Sequence, residues 1–125
     1  MSRRPANPKA SLPLSGAALH ILLSLADDDR HGYSIMQHVA ERTGGKLRLG
    51  PGTLYGCLKR LLVDGLIEES PPRPVSRRGD SRRRYYRLTS LGRRVATAEL
   101  ERLAALLTAA RETPLGRALP ALGTR

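Results

Sequence analysis

Residues 50–67 read Gly50-Pro51-Gly52-Thr53-Leu54-Tyr55-Gly56-Cys57-Leu58-Lys59-Arg60-Leu61-Leu62-Val63-Asp64-Gly65-Leu66-Ile67. Proline is tolerated in a first helical turn, and Thr53 is a candidate cap for the helix start. Leu54, Leu58, Leu61 and Leu62 share one face at helical spacing, Tyr55, Lys59 and Arg60 occupy others, and Gly65 ends the run. The stretch is therefore an amphipathic, basic helix. Directly beyond it Leu66-Ile67-Glu68-Glu69 reads as a strand that enters Pro71-Pro72-Arg73-Pro74, a sequence no sheet interior accepts.

Two helices precede this one. Tyr33, Met36, Val39 and Ala40 keep the helical period from a His31-Gly32 turn to the stop at Gly44-Gly45, and Lys46 to Leu49 then reads as a short extended connection or a minor strand. Earlier, Ala18, Ile21, Leu22 and Leu25 recur at i, i+3, i+4 and i+7 after Ser15. That helix stops at Asp27-Asp28-Asp29, acids that oppose the helix dipole and fray its end.

Downstream, Arg84-Tyr85-Tyr86-Arg87-Leu88 alternates its side chains and is rich in β-formers, so it pairs with the first strand as a hairpin with a long basic tip. Thr89 caps a final helix from about Ser90 to Arg111, stopped by Pro114. Its apolar residues Ala96, Leu100, Leu103, Leu107 and Ala110 have the seam spacing of a coiled coil, which a lone helix cannot bury. The order helix, helix, turn, helix, strand, tip, strand describes a mostly α winged helix-turn-helix with a small β-hairpin, extended by a C-terminal dimerisation helix. The expected division is a flexible arm at 1–13, the DNA-binding domain at 14–88, the dimerisation helix at 89–112 and a tail at 113–125 without obvious regular structure.

At 125 residues the chain suits one hydrophobic core, and with no Phe or Trp that core is built from Leu, Ala, Val and Ile. The single cysteine, Cys57, excludes an internal disulfide, a multi-cysteine zinc site and an iron–sulfur cluster. No stretch reaches the length of a membrane span, and Met1-Ser2-Arg3-Arg4-Pro5 leads into no apolar leader, so a cytoplasmic protein with no membrane partner is expected. The net charge of +11 predicts a polyanionic partner. Residues 71–88 hold more than half of that excess, carried by Arg73, Arg77, Arg78, Arg82, Arg83, Arg84 and Arg87 against Asp80, whereas residues 10–70 are nearly neutral.

Five motifs in order then resemble a family: His31-Gly32-Tyr33-Ser34-Ile35, Gly50-Pro51-Gly52-Thr53-Leu54-Tyr55, Leu58-Lys59-Arg60-Leu61, Asp64-Gly65-Leu66-Ile67, and Arg84-Tyr85-Tyr86-Arg87-Leu88-Thr89 with Leu91-Gly92. The chain resembles the PadR family of bacterial transcriptional regulators over roughly residues 14–110. The resemblance implies a homodimer formed through the last and first helices. The family often has a proline or larger residue where this chain has Gly56, and relatives that bind planar compounds use aromatic side chains, often tryptophan, which this chain lacks.

Thr53 and Tyr55 open the recognition helix, where their hydroxyls reach phosphates or base edges; the structural alternatives are a helix cap and a half-buried packing residue. Lys59 and Arg60 are candidates for phosphate, or ordinary solvated charges. Arg77, Arg78, Arg82, Arg83 and Arg84 are the candidate wing contacts, or a solubilising loop; Arg84 and Arg87 have the further option of pairing with Glu68 and Glu69. Tyr33 begins its helix and is a phosphate contact or a packing residue. His31, His38 and Cys57 lack the spacing of metal ligands, and neither a phosphate loop nor a paired carboxylate is present, so no metal, cofactor or catalysis is expected.

The expected partners are double-stranded DNA and a second copy of the chain, with any small-molecule effector unknown. The function that follows is sequence-specific repression from a palindromic operator. Its rivals are a non-specific RNA- or DNA-binding basic protein and a protein adaptor using the last helix.

Overall fold

The computed structural model describes residues 12–71 and 84–120. Among these residues the elements follow in the order α1 (Gly16–Ser24), β1 (Arg30–His31), α2 (Gly32–Arg42), α3 (Pro51–Val63), β2 (Ile67–Glu69), β3 (Tyr85–Leu88), α4 (Ser90–Ala110) and α5 (Pro114–Arg117). The expected mostly helical winged fold is present. The strands form one antiparallel sheet in the order β1-β3-β2, with Glu68 opposite Arg87 and Arg30 opposite Tyr86. One aliphatic core holds Ile21 and Leu22 of α1, Ile35 and Val39 of α2, Leu54, Leu58 and Leu61 of α3, and Val95 and Ala96 of α4. The first half of α4 therefore completes the winged domain, because its apolar side chains are the lid on that core.

Local chemistry sets the ends of these elements. The Ser15 hydroxyl accepts the Ala18 N–H at 3.1 Å and starts α1. The helix ends at Ser24, short of the three acids, and Arg30 donates its Nε–H to the Ser24 carbonyl at 2.6 Å while reaching Asp27 at 3.5 Å. A cation thus lies where a helix C-terminus favours one, and the acids stand outside the helix instead of fraying it.

Three local expectations need correction. Thr53 does not cap α3: the cap is Gly50, without a side-chain hydrogen bond, and Thr53 lies inside the helix. Pro51 at the first turn has no N–H to satisfy, which lowers the demand for a capping oxygen. The extra strand is not at 46–49 but at Arg30–His31. The Leu47 N–H is taken by the Thr43 hydroxyl at 3.0 Å, so that connection has no donor there for a ladder. The tail at 113–125 contains α5, capped by Thr113, whose hydroxyl accepts the Gly116 N–H at 3.1 Å.

The Thr89 hydroxyl accepts the Gly92 N–H at 3.0 Å and donates to the Gly65 carbonyl at 2.6 Å, tying the start of α4 to the end of α3. A side chain at Gly92 would run into the Leu66 carbonyl, so only glycine lets α4 lie directly on that backbone. Further along α4, Glu99 is 2% exposed. Its carboxylate accepts both Nε and an Nη of Arg102 at 2.9 Å, and a hydrogen bond from the Leu14 backbone joins it to the segment ahead of α1.

Candidate nucleic-acid interface

The sequence of α3 separates its two faces. Leu54, Leu58 and Leu61 are buried, while Gly52, Thr53, Tyr55, Gly56, Lys59, Arg60 and Val63 are exposed. The outer face offers a hydroxyl, a phenol, an ammonium and a guanidinium, with two glycines, Gly52 and Gly56, that meet only open space. Such a face is low in relief and rich in hydrogen-bond donors. Arg60 is only loosely engaged, with Asp64 at 3.9 Å.

Tyr33 stands on the first turn of α2 and is 56% exposed, so its packing alternative does not apply. The His31 side chain caps that helix by accepting the Ser34 N–H on Nδ1 at 3.2 Å, and its ring meets the edge of Tyr85 with centroids 5.2 Å apart. Tyr55 is 50% exposed, and the far end of its ring lies over Gly32: a Cβ built there would be 2.9 Å from Cζ and nearer still to the hydroxyl. Tyr86 of β3, paired with Arg30, is buried. Burial raises its pKa, and the charges of Glu69 and Tyr55 add to that effect while Arg84 opposes it.

The wing is described only at its base. Arg77, Arg78, Arg82 and Arg83 lie outside the described residues. Arg84 pairs with Glu69 at 3.2 Å and Arg87 with Glu68 at 2.8 Å, the cross-strand option left open by the sequence. These pairs are largely exposed, and exposed pairs hold little energy. Cys57 is half-buried, and burial raises the pKa of its thiol, which favours an inert role.

Two features were not evident in the motifs. Lys46 and Arg48 are exposed on the approach to α3, and the Arg48 guanidinium lies over Gly45. Their place just before Gly50 was the signal. Gly32 was read as a turn, whereas its buried backbone is the seat of Tyr55; nothing in local spacing connects residues so far apart in the chain.

The seam residues of α4 divide. Ala96 is buried within this chain's own core, whereas Leu100 and Leu103 are 43% and 36% exposed, and Leu107 and Ala110 are partly covered. Leu106, Leu115 and Leu119 are exposed as well. No helix among the described residues is long and apolar enough to cross a membrane.

Comparison with known proteins places this geometry in a family. Residues 21–98 match the model of the Transcriptional regulator PadR-like family. The chain is 44% identical over 89 residues to Transcriptional regulator Rv3488 of Mycobacterium tuberculosis, covering 69% of this chain and 77% of that one. It is 38% identical over 90 residues to an uncharacterized 37.1 kDa protein in transposon TN4556 of Streptomyces fradiae, covering 72% of this chain but only 24% of the relative. A third relative, protein X of Lysinibacillus sphaericus, is 38% identical over 73 residues, 58% of this chain and 64% of its own length. Among solved structures, a PadR family transcription regulator from Clostridium difficile superposes with a TM-score of 0.61 at 29% identity, covering 75% of this chain and 95% of that one. Sequence, fold and the donor-rich face of α3 agree: the chain belongs to the PadR-like family of DNA-binding transcriptional regulators.

Proposed function

We propose that the protein is a homodimeric, sequence-specific repressor of a palindromic operator. The outer face of α3 carries this reading: polar and basic donors stand exposed on the side opposite three buried leucines. Thr53 and Tyr55 lie nearest the bases, Lys59 and Arg60 hold phosphates, and Tyr33 adds a backbone contact from α2. The wing arginines Arg77, Arg78, Arg82, Arg83 and Arg84 flank the site, and Arg84 exchanges its exposed carboxylate partner for a phosphate. Residues 14–88 form the DNA-binding part, and the helix within 89–112 joins two copies through Leu100, Leu103, Leu107 and Ala110, with Ala96 anchoring it to the core. A dimer seated on an operator represses by occupancy alone.

Selection of bound duplexes from a randomised library by the full chain tests this. A recurring palindrome with half-sites about 10 base pairs apart supports a dimer with two recognition helices. The concentration of arginine at 71–88 favours a second reading, non-specific binding to nucleic acid. That reading expects no recurring sequence, and equal affinity for selected and scrambled duplexes.

A further inference from the structure

We propose that Gly32 and Tyr55 form a lock that sets the tilt of α3 against the start of α2, making Gly32 a specificity-determining position that touches no base. The proposal rests on α3 being the element that meets DNA.

Three elements converge at this point. From α3, the end of the Tyr55 ring lies on the backbone of the first residue of α2: the hypothetical Cβ at Gly32 would be 2.9 Å from Cζ, 3.2 Å from Cε1 and closer still to the hydroxyl. The approaches to Cζ and the hydroxyl are ones that real Cβ atoms essentially never show, and the approach to Cε1 is tight. From the sheet, His31 precedes Gly32, caps α2 through Ser34 at 3.2 Å and meets the Tyr85 ring edge-on. The pairing of Arg30 with Tyr86 and His31 with Tyr85 then ties the start of α2 to β3, the strand that leaves the wing. The Tyr55 phenol also lies close enough to Tyr86 to favour that residue's protonated form.

The consequence is mechanical. Helix α3 is held from inside by Leu54, Leu58 and Leu61, which are buried in the aliphatic core. A rigid aromatic ring resting on a backbone with no Cβ is directional, and it determines how far the outer end of Tyr55 can approach α2. A Cβ at Gly32 would push the outer end of the Tyr55 ring away from α2, and where the ring keeps its rotamer Thr53, Lys59 and Arg60 move with it on the same helix. Elsewhere in a helix alanine is the better helix former, so a loss on changing Gly32 to Ala points to the contact and not to the backbone.

A double-mutant cycle tests the lock, using the duplex selected by the native chain and a scrambled counterpart at one salt concentration. Gly32→Ala is expected to lower the ratio of selected to scrambled affinity by about tenfold, whereas in a Tyr55→Leu background the same change costs less than about twofold. If Gly32→Ala alone does not fold, Tyr55→Leu and Gly32→Ala/Tyr55→Leu are still compared, and the lock requires both to fold with equal ratios. Equal losses from Gly32→Ala in both backgrounds, an unchanged ratio in the native background, or a double variant worse than Tyr55→Leu would overturn the lock while leaving the functional reading intact. Failure of the native chain to select any recurring duplex would instead overturn the functional reading, and the lock's bearing on specificity with it.

Discussion

Thr53 lies exposed inside the first turns of α3 with no capping duty, so Thr53→Ala removes a hydroxyl from the recognition face without weakening the helix start. It is expected to cost about 1–3 kcal/mol more on the selected duplex than on a scrambled one, the loss of a base-directed hydrogen bond. Lys59, exposed further along the helix, is a point charge suited to phosphate, and Lys59→Ala is expected to weaken both duplexes alike. Binding isotherms on the two duplexes at fixed salt distinguish these outcomes. Equal losses for Thr53→Ala would reassign that residue to positioning and move sequence reading to the wing or to DNA shape.

Two elements respond to their ionic surroundings. In the wing, replacing Arg82, Arg83 and Arg84 with Ala is expected to flatten the slope of log affinity against log salt by about 2 to 3 units per subunit. Sequence preference largely survives that change, and an unaltered slope would make the arginines a solvated loop. In α4, the hydrogen bonds from Arg102 hold the Glu99 carboxyl below the usual carboxylate range, against the opposing effect of burial and with help from the Arg102 charge and the Leu14 backbone. A pKa lower in the folded chain than in the unfolded one gives stability that is present above the ordinary glutamate value of about 4.3 and disappears as pH falls through the folded value. Glu99→Gln is therefore expected to be less stable than the native chain at neutral pH, with the difference closing on acidification below that point. Denaturant melts of both proteins from pH 7 to pH 3 measure the gap; a constant gap would show that the carboxylate's charge contributes nothing.

For the molecule as a whole, the open question of area lies in the second half of α4. Leu100, Leu103 and Leu106 are exposed there, and Leu115 of α5 is exposed as well, so the single chain leaves these apolar side chains uncovered. Leu103→Glu places a charge at the middle of the seam and is expected to yield monomers whose binding to the selected duplex is weakened, since each recognition helix then acts alone. Sedimentation of the purified variant reads the oligomeric state. A dimer of undiminished stability would place the interface on another face.

The positions of α1 to α4 were legible in the sequence because each of these helices has one inward face, and the period of its apolar residues records that face without reference to any neighbour; the four-residue α5 is too short to show a period. The β2–β3 hairpin was legible for a similar reason, through β-formers flanking a proline-rich tip, and so was the cap at Thr89, a local contact between residues three apart. The exposed face of α3 followed directly, being the side from which leucine is missing. Strand β1 was not legible: two residues have no period, and Arg30–His31 becomes a strand only because β3 passes beside it. The same holds for the seating of Tyr55 on Gly32 and of α4 on the Leu66 carbonyl, where a glycine marks not a flexible turn but the approach of a distant group. Spacing along α4 showed a continuous seam, yet only the folded chain divides it, burying Ala96 at home and leaving Leu100 and Leu103 exposed. Periodicity reports that a face must be covered; which part of it the chain covers itself depends on where the other helices end.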